Sequence, residues 1–160
     1  MTALLRGPAA LSRPAARWTV NVLAVAGAAL MVWSGVIHLQ LWSEGYRDIS
    51  VIGPLFLAQG IGAIAIAALV VVFRRLAALA AGAVTLAATA VGLLLSVYMG
   101  LFGYTESLAV PYAKASLVVE FAGAAVLLAA AAILLTSRRT RPAGPAASRQ
   151  SDPSRAGFRM

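Results

Sequence analysis

Four long apolar stretches constrain the fold of this chain more than any other feature. They run through residues 18–42, 51–73, 76–101 and 113–136, and each reaches the length of about 20 residues that a helix needs to cross about 30 Å of hydrocarbon. Apolar residues make up 61% of the chain and charged residues 11%, whereas soluble domains average about 45 to 50% and about 25%. The sequence therefore predicts an all-α integral membrane protein, a four-transmembrane-helix antiparallel bundle.

Arginine and lysine are distributed unevenly among the segments that connect these stretches. Two cations, Arg47 and Lys114, fall on one side of the predicted membrane, and eleven arginines fall on the other. Basic residues near helix ends stay preferentially in the cytoplasm. The bias therefore predicts that both termini are cytoplasmic. Arginine outnumbers lysine twelve to one and alanine is abundant, which is typical of a high-GC bacterium, so we expect a multi-pass protein of a bacterial inner (plasma) membrane. The eleven are Arg6, Arg13, Arg17, Arg74, Arg75, Arg138, Arg139, Arg141, Arg149, Arg155 and Arg159.

The chain divides into two ends and one central domain. Residues 1–17 form a predicted cytoplasmic N-terminal segment, and residues 18–136 form the four-helix domain. Residues 137–160 combine arginine, proline and serine with few large apolar side chains. Such a segment cannot bury enough apolar area to fold, so we predict a disordered basic tail.

The first apolar stretch has an alternative interpretation as a secretory signal. Three arginines precede it, and Ala24-Val25-Ala26 resembles a cleavage site. Signal sequences have an apolar region of about 7 to 15 residues, whereas here the apolar character continues to Trp42. The length favours a full membrane span.

Composition excludes several classes of chemistry. The chain has no cysteine, which excludes disulfide exchange, thiol catalysis and thiolate metal sites. A single histidine cannot supply two axial ligands to haem, and no phosphate-binding, dinucleotide or nucleophile-elbow motif is present. We therefore expect no cofactor, no metal and no catalytic residue. Despite the net charge of +8 we expect no nucleic-acid partner, because the cations are split between helix flanks.

Small residues recur at helical spacing in the second and third stretches. Ala88, Gly92, Ser96 and Gly100 lie four residues apart, and Ala58 and Gly62 show the same spacing. Helices in lipid associate through close packing at small residues. The pattern predicts tight helix contacts at these positions.

Polar side chains from all four stretches fall at one predicted depth. With a rise of about 1.5 Å per residue, they lie roughly 6 to 8 Å below the outer interface. An ionised carboxylate exposed to lipid is disfavoured by roughly 2.5 to 3.5 kcal/mol, so Glu120 should face the bundle interior, with His38 as its expected partner. The predicted ligand or proton site comprises His38, Glu120, Gln59, Arg47, Tyr98 and Ser96.

This polar layer has two interpretations. It is a small outward-opening pocket that binds a small molecule or relays a proton, or it is a set of interhelical hydrogen bonds worth about 0.6 kcal/mol each. A third possibility, an enzyme with His38 as general base and Glu120 as its orienting group, lacks a nucleophile or metal beside the pair. The chain is thus more readily explained as a non-enzymatic protein.

The segments after the first and third stretches share a short pattern. Gly45-Tyr46-Arg47-Asp48 and Gly103-Tyr104-Thr105-Glu106 both read Gly-Tyr-x-acid. The pattern suggests two duplicated hairpins, but a match of four positions is too short to establish a repeat.

The sequence also resembles known membrane proteins. The segment Gly35-Val36-Ile37-His38-Leu39-Gln40-Leu41-Trp42, followed by Gly45–Ile49 and Ile52–Leu57, resembles a family of small four-helix membrane proteins of high-GC bacteria. Gly103–Glu106 and Val118-Val119-Glu120 are similar to that family too. The resemblance covers residues 20–136 and implies the four-helix architecture without an established activity. In size and helix count the chain is also loosely similar to DoxX-like proteins, which are implicated in quinone-linked or redox membrane complexes.

Two kinds of function follow as expectations. The first is an accessory subunit of a larger membrane complex, or a membrane protein that binds a small molecule at the polar layer. The alternative is a small proton-coupled transporter or a component of a quinone-linked redox complex. In either case the lipid bilayer is the expected partner.

Overall fold

The four apolar stretches are helical in the computed structural model, which describes residues 14–139. The helices are α1 (Pro14–Ser43), α2 (Ile52–Phe73), α3 (Leu76–Met99) and α4 (Ala113–Arg139). Each is long and apolar enough to span a membrane, which confirms, for residues 14–139, the prediction of an all-helical fold with four such helices. Of the predicted basic tail, the first residues continue α4, and residues 140–160 lie outside the described part of the chain, as do residues 1–13.

Short connections link the helices. A single 3₁₀ turn, Tyr46–Asp48, lies between α1 and α2. Two residues join α2 to α3: Arg74 takes a left-handed conformation (φ 46°), donates its N–H to the Val70 carbonyl and ends α2, and Arg75 is extended. We call the opposite end of the bundle, which holds residues 44–51 and 100–112, the loop end.

The connection from α3 to α4 folds back onto the end of α3. Gly100, at φ 75°, donates its N–H to the Ser96 carbonyl and ends the helix. Leu101 and Tyr104 then exchange two backbone hydrogen bonds of 2.7 and 2.9 Å around a turn in which both central residues have positive φ. The turn returns the chain to α3, where the Glu106 N–H donates to the Ser96 carbonyl at 3.3 Å.

Glycines set the closest approaches between helices. A Cβ built on Gly35 of α1 would lie 2.9 Å from the backbone oxygen of Gly60 on α2. A Cβ on Gly82 of α3 would lie 2.8 Å from Met31 Sδ and 2.9 Å from Leu127 Cδ1. Met31 and Leu127 are fully buried. The core therefore forms where α1 meets α2 and where α3 and α4 meet α1 around large apolar side chains.

The predicted tight contacts at the other small residues are wrong for Gly62 and Gly92. A Cβ on either would meet nothing within 4 Å. Both residues, together with Ala58, Ala88 and Ser96, instead line a cavity between α2 and α3. Close packing requires a neighbouring surface as well as a small residue. Because no neighbour approaches Gly62 or Gly92, the small residues here border open space instead of a helix contact.

The exterior of the bundle is apolar. Large apolar side chains such as Trp18, Trp33 and Val118 are 72%, 59% and 69% exposed. Soluble monomers rarely expose apolar patches larger than a few hundred Å². Together with the length and composition of the helices, this exterior suggests a multi-pass membrane protein.

The glycine contacts generate a matched pair of substitutions. We expect Gly35→Ala to destabilise the bundle by about 1 to 3 kcal/mol, the usual effect of overpacking, because the new methyl group meets backbone. Gly62→Ala adds the same methyl group to open space and should leave stability unchanged or raise it by up to about 1 kcal/mol. Equilibrium unfolding in mild detergent measures both, and equal stabilities for the two variants would contradict the packing described above.

Candidate functional site

A cavity of about 600 Å³ lies between α2 and α3 at the loop end of the bundle, and residues of α1 and α4 also reach it. Its size is within the range of about 300 to 1,000 Å³ that is usual for small-molecule pockets. Its walls are mainly apolar or small side chains. Leu55 and Val84 line the cavity and are also 45% and 67% exposed, so it opens on the flank between α2 and α3.

His38 contributes an imidazole to this cavity from α1. The side chain is buried, and its Nδ1 lies 2.8 Å from the Ser34 carbonyl oxygen one turn earlier. Because a carbonyl only accepts, Nδ1 carries the hydrogen and donates, which makes Nε2 an acceptor in the neutral ring. The Phe56 ring lies 5.0 Å from the imidazole, between centroids. Helix backbone and aromatic packing together fix the orientation of the imidazole.

Gln59 contributes an amide from α2. Its Nε2 is buried and makes no hydrogen bond within residues 14–139. Leaving a buried donor without an acceptor costs about 1 to 3 kcal/mol. The wall of the cavity thus carries a buried hydrogen-bond donor that has no acceptor in the described part of the protein.

Glu120 is fully buried within the bundle, as the cost of exposing it to lipid predicts. Its Oε1 accepts hydrogen bonds from Ser116 Oγ at 2.7 Å and from Ser34 Oγ at 3.1 Å. Its Oε2 has no hydrogen-bond partner among the described residues. The Ser34 bond joins α1 to α4 through a buried polar contact.

The expected pairing of Glu120 with His38 is wrong. No hydrogen bond or ion pair joins the two side chains in the described part of the chain, where the one ion pair is between Arg47 and Asp48. Glu120 lies level with Ser34, which is four residues before His38 and so about 6 Å from it along the helix. Among residues 14–139, Ser34 connects His38 and Glu120, since its carbonyl and its hydroxyl each bond one of them.

The structure distributes the predicted site residues over three locations. His38, Gln59 and Ser96 line the cavity. Glu120 lies behind the wall, one hydrogen bond away through Ser116, which does line it. The remaining two lie apart from the cavity, since Arg47 has an exposed side chain 3.8 Å from Asp48 and Tyr98 is 75% exposed. A role of these residues in binding stays a prediction.

A second buried acid, Glu106, lines the loop end of the cavity. It is 9% exposed. One oxygen accepts from Tyr46 OH at 2.6 Å and from Tyr104 OH at 3.4 Å, and the other from the Ser107 N–H at 2.8 Å. The acid therefore ties the α1–α2 connection to the α3–α4 connection.

Aromatic rings surround this acid. The Tyr46 ring stacks on Phe56 at 4.6 Å and meets the edge of Tyr104 at 5.9 Å, between centroids. Burial, followed by the hydrogen bond to Glu106, raises the pKa of Tyr46. The phenol therefore stays protonated at neutral pH and remains a donor to the carboxylate.

Sequence reasoning missed this cluster, although a signal was present. The shared Gly-Tyr-x-acid pattern contains both tyrosines and Glu106, but as a possible duplicated hairpin it does not indicate that the two connections contact each other. Ser34 and Ser116 were likewise missed, and each lies four residues before a polar residue of the predicted layer. That spacing places both on one helix face.

The described residues offer no group of three or more histidine and acidic side chains that could hold a metal ion. The polar groups here are hydrogen-bond donors and acceptors around an apolar space. No family model, no curated protein and no solved structure matches the chain. Fold and site together define a four-helix protein, with helices suited to a membrane, that encloses a lateral apolar cavity with polar groups at one end.

Proposed function

We propose that this chain is an antiparallel four-helix protein of the plasma membrane, with both termini in the cytoplasm, that binds a small amphipathic molecule. The observation that carries the proposal is the cavity of about 600 Å³ between α2 and α3. Ligand pockets are characteristically apolar concave spaces with a few well-placed polar groups. This cavity has that composition, with its polar groups gathered near the loop end.

In this orientation the loop end faces the outside, because the positive-inside bias assigns residues 44–51 and 100–112 to outer connections. The cavity then lies in the outer half of the bilayer. Its flank, where Leu55 and Val84 are exposed, faces lipid. A ligand would enter sideways from the hydrocarbon, which suits a molecule with an apolar body.

Hydrogen bonding in the cavity favours a ligand with a polar end. Gln59 supplies an unsatisfied donor and His38 an acceptor at Nε2. The competing interpretation, in which the polar layer is only interhelical hydrogen bonding, accounts for Ser34 and Glu120. It does not account for Gln59, which bonds no other helix within the described residues.

Proton-coupled transport is the second candidate, and Glu120 favours it. A carboxyl that is fully buried, held at one oxygen by two serines and unpartnered at the other, is a typical intramembrane proton site. Ser116 joins it to the cavity wall. The hydrogen bond between Ser116 and Glu120 would then link ligand binding in the cavity to protonation of Glu120.

Membrane orientation is directly testable because the chain contains no cysteine. We expect a Ser50→Cys variant to react with a membrane-impermeant maleimide on intact cells. A Ser148→Cys variant, in the C-terminal segment, should react only after permeabilisation. The reverse pattern would overturn the proposed orientation.

Filling the cavity should weaken binding without harming the fold. Leucines at Gly62 and Gly92 would project into the cavity, where even a Cβ meets nothing within 4 Å. We expect Gly62→Leu/Gly92→Leu to weaken binding of a neutral amphiphile such as decanol by at least about tenfold, measured by native mass spectrometry in mild detergent.

The matched control places the same bulk outside the cavity. Ala65 and Ala87 are exposed on the same two helices and do not line it, so Ala65→Leu/Ala87→Leu should bind like the unmodified protein. Equal binding by the filled variant and this control would argue against a ligand in the cavity.

The transport candidate predicts a loss of proton flux. In proteoliposomes with an imposed pH gradient and an internal pH-sensitive dye, Glu120→Gln should reduce flux to the background of empty vesicles. Helicity should persist, because the amide oxygen can still accept from Ser34 and Ser116. Glu44→Gln, an exposed acid at the loop end, should leave flux intact. Unchanged flux in Glu120→Gln would remove this candidate.

A further inference from the structure

Glu106 places a carboxylate at the loop end of an apolar cavity and has no ion-pair partner among the described residues. The side chain lines the cavity and is 9% exposed. No arginine or lysine lines the cavity with it, and the ion pair found within residues 14–139 is the exposed one between Arg47 and Asp48. Within the described part of the chain, the buried carboxylate thus has hydrogen-bond donors but no ion-pair partner.

Those donors orient the carboxylate without neutralising it. Tyr46, Tyr104 and the Ser107 N–H are neutral groups. Removing a charge from water is unfavourable, and hydrogen-bond donors offset this cost in part while an opposite charge offsets it further. A cation in the cavity would therefore gain more here than at an exposed acid, where water screens the attraction.

The end of α3 adds to the negative potential. The Glu106 N–H bonds the Ser96 carbonyl in the last turn of that helix, which holds Glu106 beside the helix C-terminus. Aligned peptide dipoles give a helix C-terminus a partial negative charge of about half an electron. The helix dipole and the carboxylate therefore both make this end of the cavity more negative and both attract a cation.

Aromatic faces complete the surroundings. The rings of Tyr46, Phe56 and Tyr104 form a continuous cluster, with centroid distances of 4.6 and 5.9 Å, and all three residues line the cavity. Aromatic faces attract organic cations that lie within about 6 Å of the ring centroid. Rings beside an uncompensated acid match the chemistry of an alkylated ammonium better than that of a hydrated metal ion.

We propose that the cavity selects hydrophobic organic cations, with the ammonium head between Glu106 and these rings and the apolar body along the α2–α3 groove. The inference rests on the proposed binding function and specifies its ligand class. The occupant is a free amphiphile rather than a choline-headed phospholipid, because a cavity of about 600 Å³ has the size for drug-sized ligands.

The test compares decyltrimethylammonium with its neutral isostere, in which carbon replaces the quaternary nitrogen. Full-length protein in nonionic detergent is titrated with each probe, and native mass spectrometry counts the bound molecules. We expect one site that binds the cation at least about tenfold more tightly than the isostere. Glu106→Gln preserves the acceptor for Tyr46 and should lower cation affinity by at least about tenfold, with isostere affinity within about twofold.

A matched control separates contact from general electrostatics. Glu44→Gln removes the same charge at the same end of the bundle from an exposed side chain that does not line the cavity, and should leave both affinities unchanged. Glu106→Asp retains the charge and should keep most of the preference for the cation. Added phosphatidylcholine should not displace the cation, and competitive displacement would identify a lipid headgroup as the occupant and overturn the proposal.

The outcomes distinguish this inference from the function beneath it. Equal affinities for cation and isostere, or an unchanged preference in Glu106→Gln, would overturn the selection of cations and leave the binding function standing. Binding of neither probe would overturn both. Should Glu106→Gln lose helicity, Phe56→Leu decides the matter, because it retains the acid and removes a ring. An unchanged preference for the cation in that variant overturns the proposal.

Discussion

The close approach of α1 and α2 at Gly35 and Gly60 is the contact on which the rest of the arrangement depends. With no Cβ on either residue, the two backbones come so close that a methyl group on Gly35 would lie 2.9 Å from the Gly60 oxygen. In lipid such contacts replace the hydrophobic effect as the source of association. On another face of α2, a Cβ on Gly62 would meet nothing within 4 Å, and the cavity lies there between α2 and α3.

Serine hydroxyls let the apolar bundle hold a polar interior. Ser116 lies one turn before Glu120 on α4 and Ser34 lies across from it on α1, and both donate to one carboxyl oxygen. The Ser34 carbonyl meanwhile fixes the His38 ring. One residue of α1 thus connects the buried acid of α4 to the imidazole that lines the cavity, and both polar groups are oriented without a direct contact between them.

The sequence determined the helices but only part of the site. Four apolar stretches predict four helices because, in hydrocarbon, a helix satisfies all the hydrogen bonds of its own backbone. The cost of exposing an acid to lipid predicts that Glu120 faces inward. The partner of Glu120 was not predictable from the sequence. Ser34 and His38 lie one turn apart on α1, and which of them is level with Glu120 depends on how far α1 is displaced along α4, which packing decides. The position of Glu106 depends on the positive-φ turn at Phe102 and Gly103. It could not be predicted, because the composition of this connection fits an exposed loop as well as one that folds back onto the bundle.

The two buried acids differ in ways that separate their chemistry. Glu106 has both oxygens engaged, lines the cavity and meets aromatic rings, so its charge is available to a ligand while its geometry is fixed. Glu120 has one oxygen engaged by serines and the other free of partners among the described residues, and one of those serines, Ser116, lines the cavity. In the proposed function, a ligand cation would contact the first acid, and a change at the second would reach the ligand through the Ser116 hydroxyl or through Ser34 and the His38 ring. Because the two acids lie on separate hydrogen-bond networks, replacing either one alone can distinguish selectivity for charge from movement of protons.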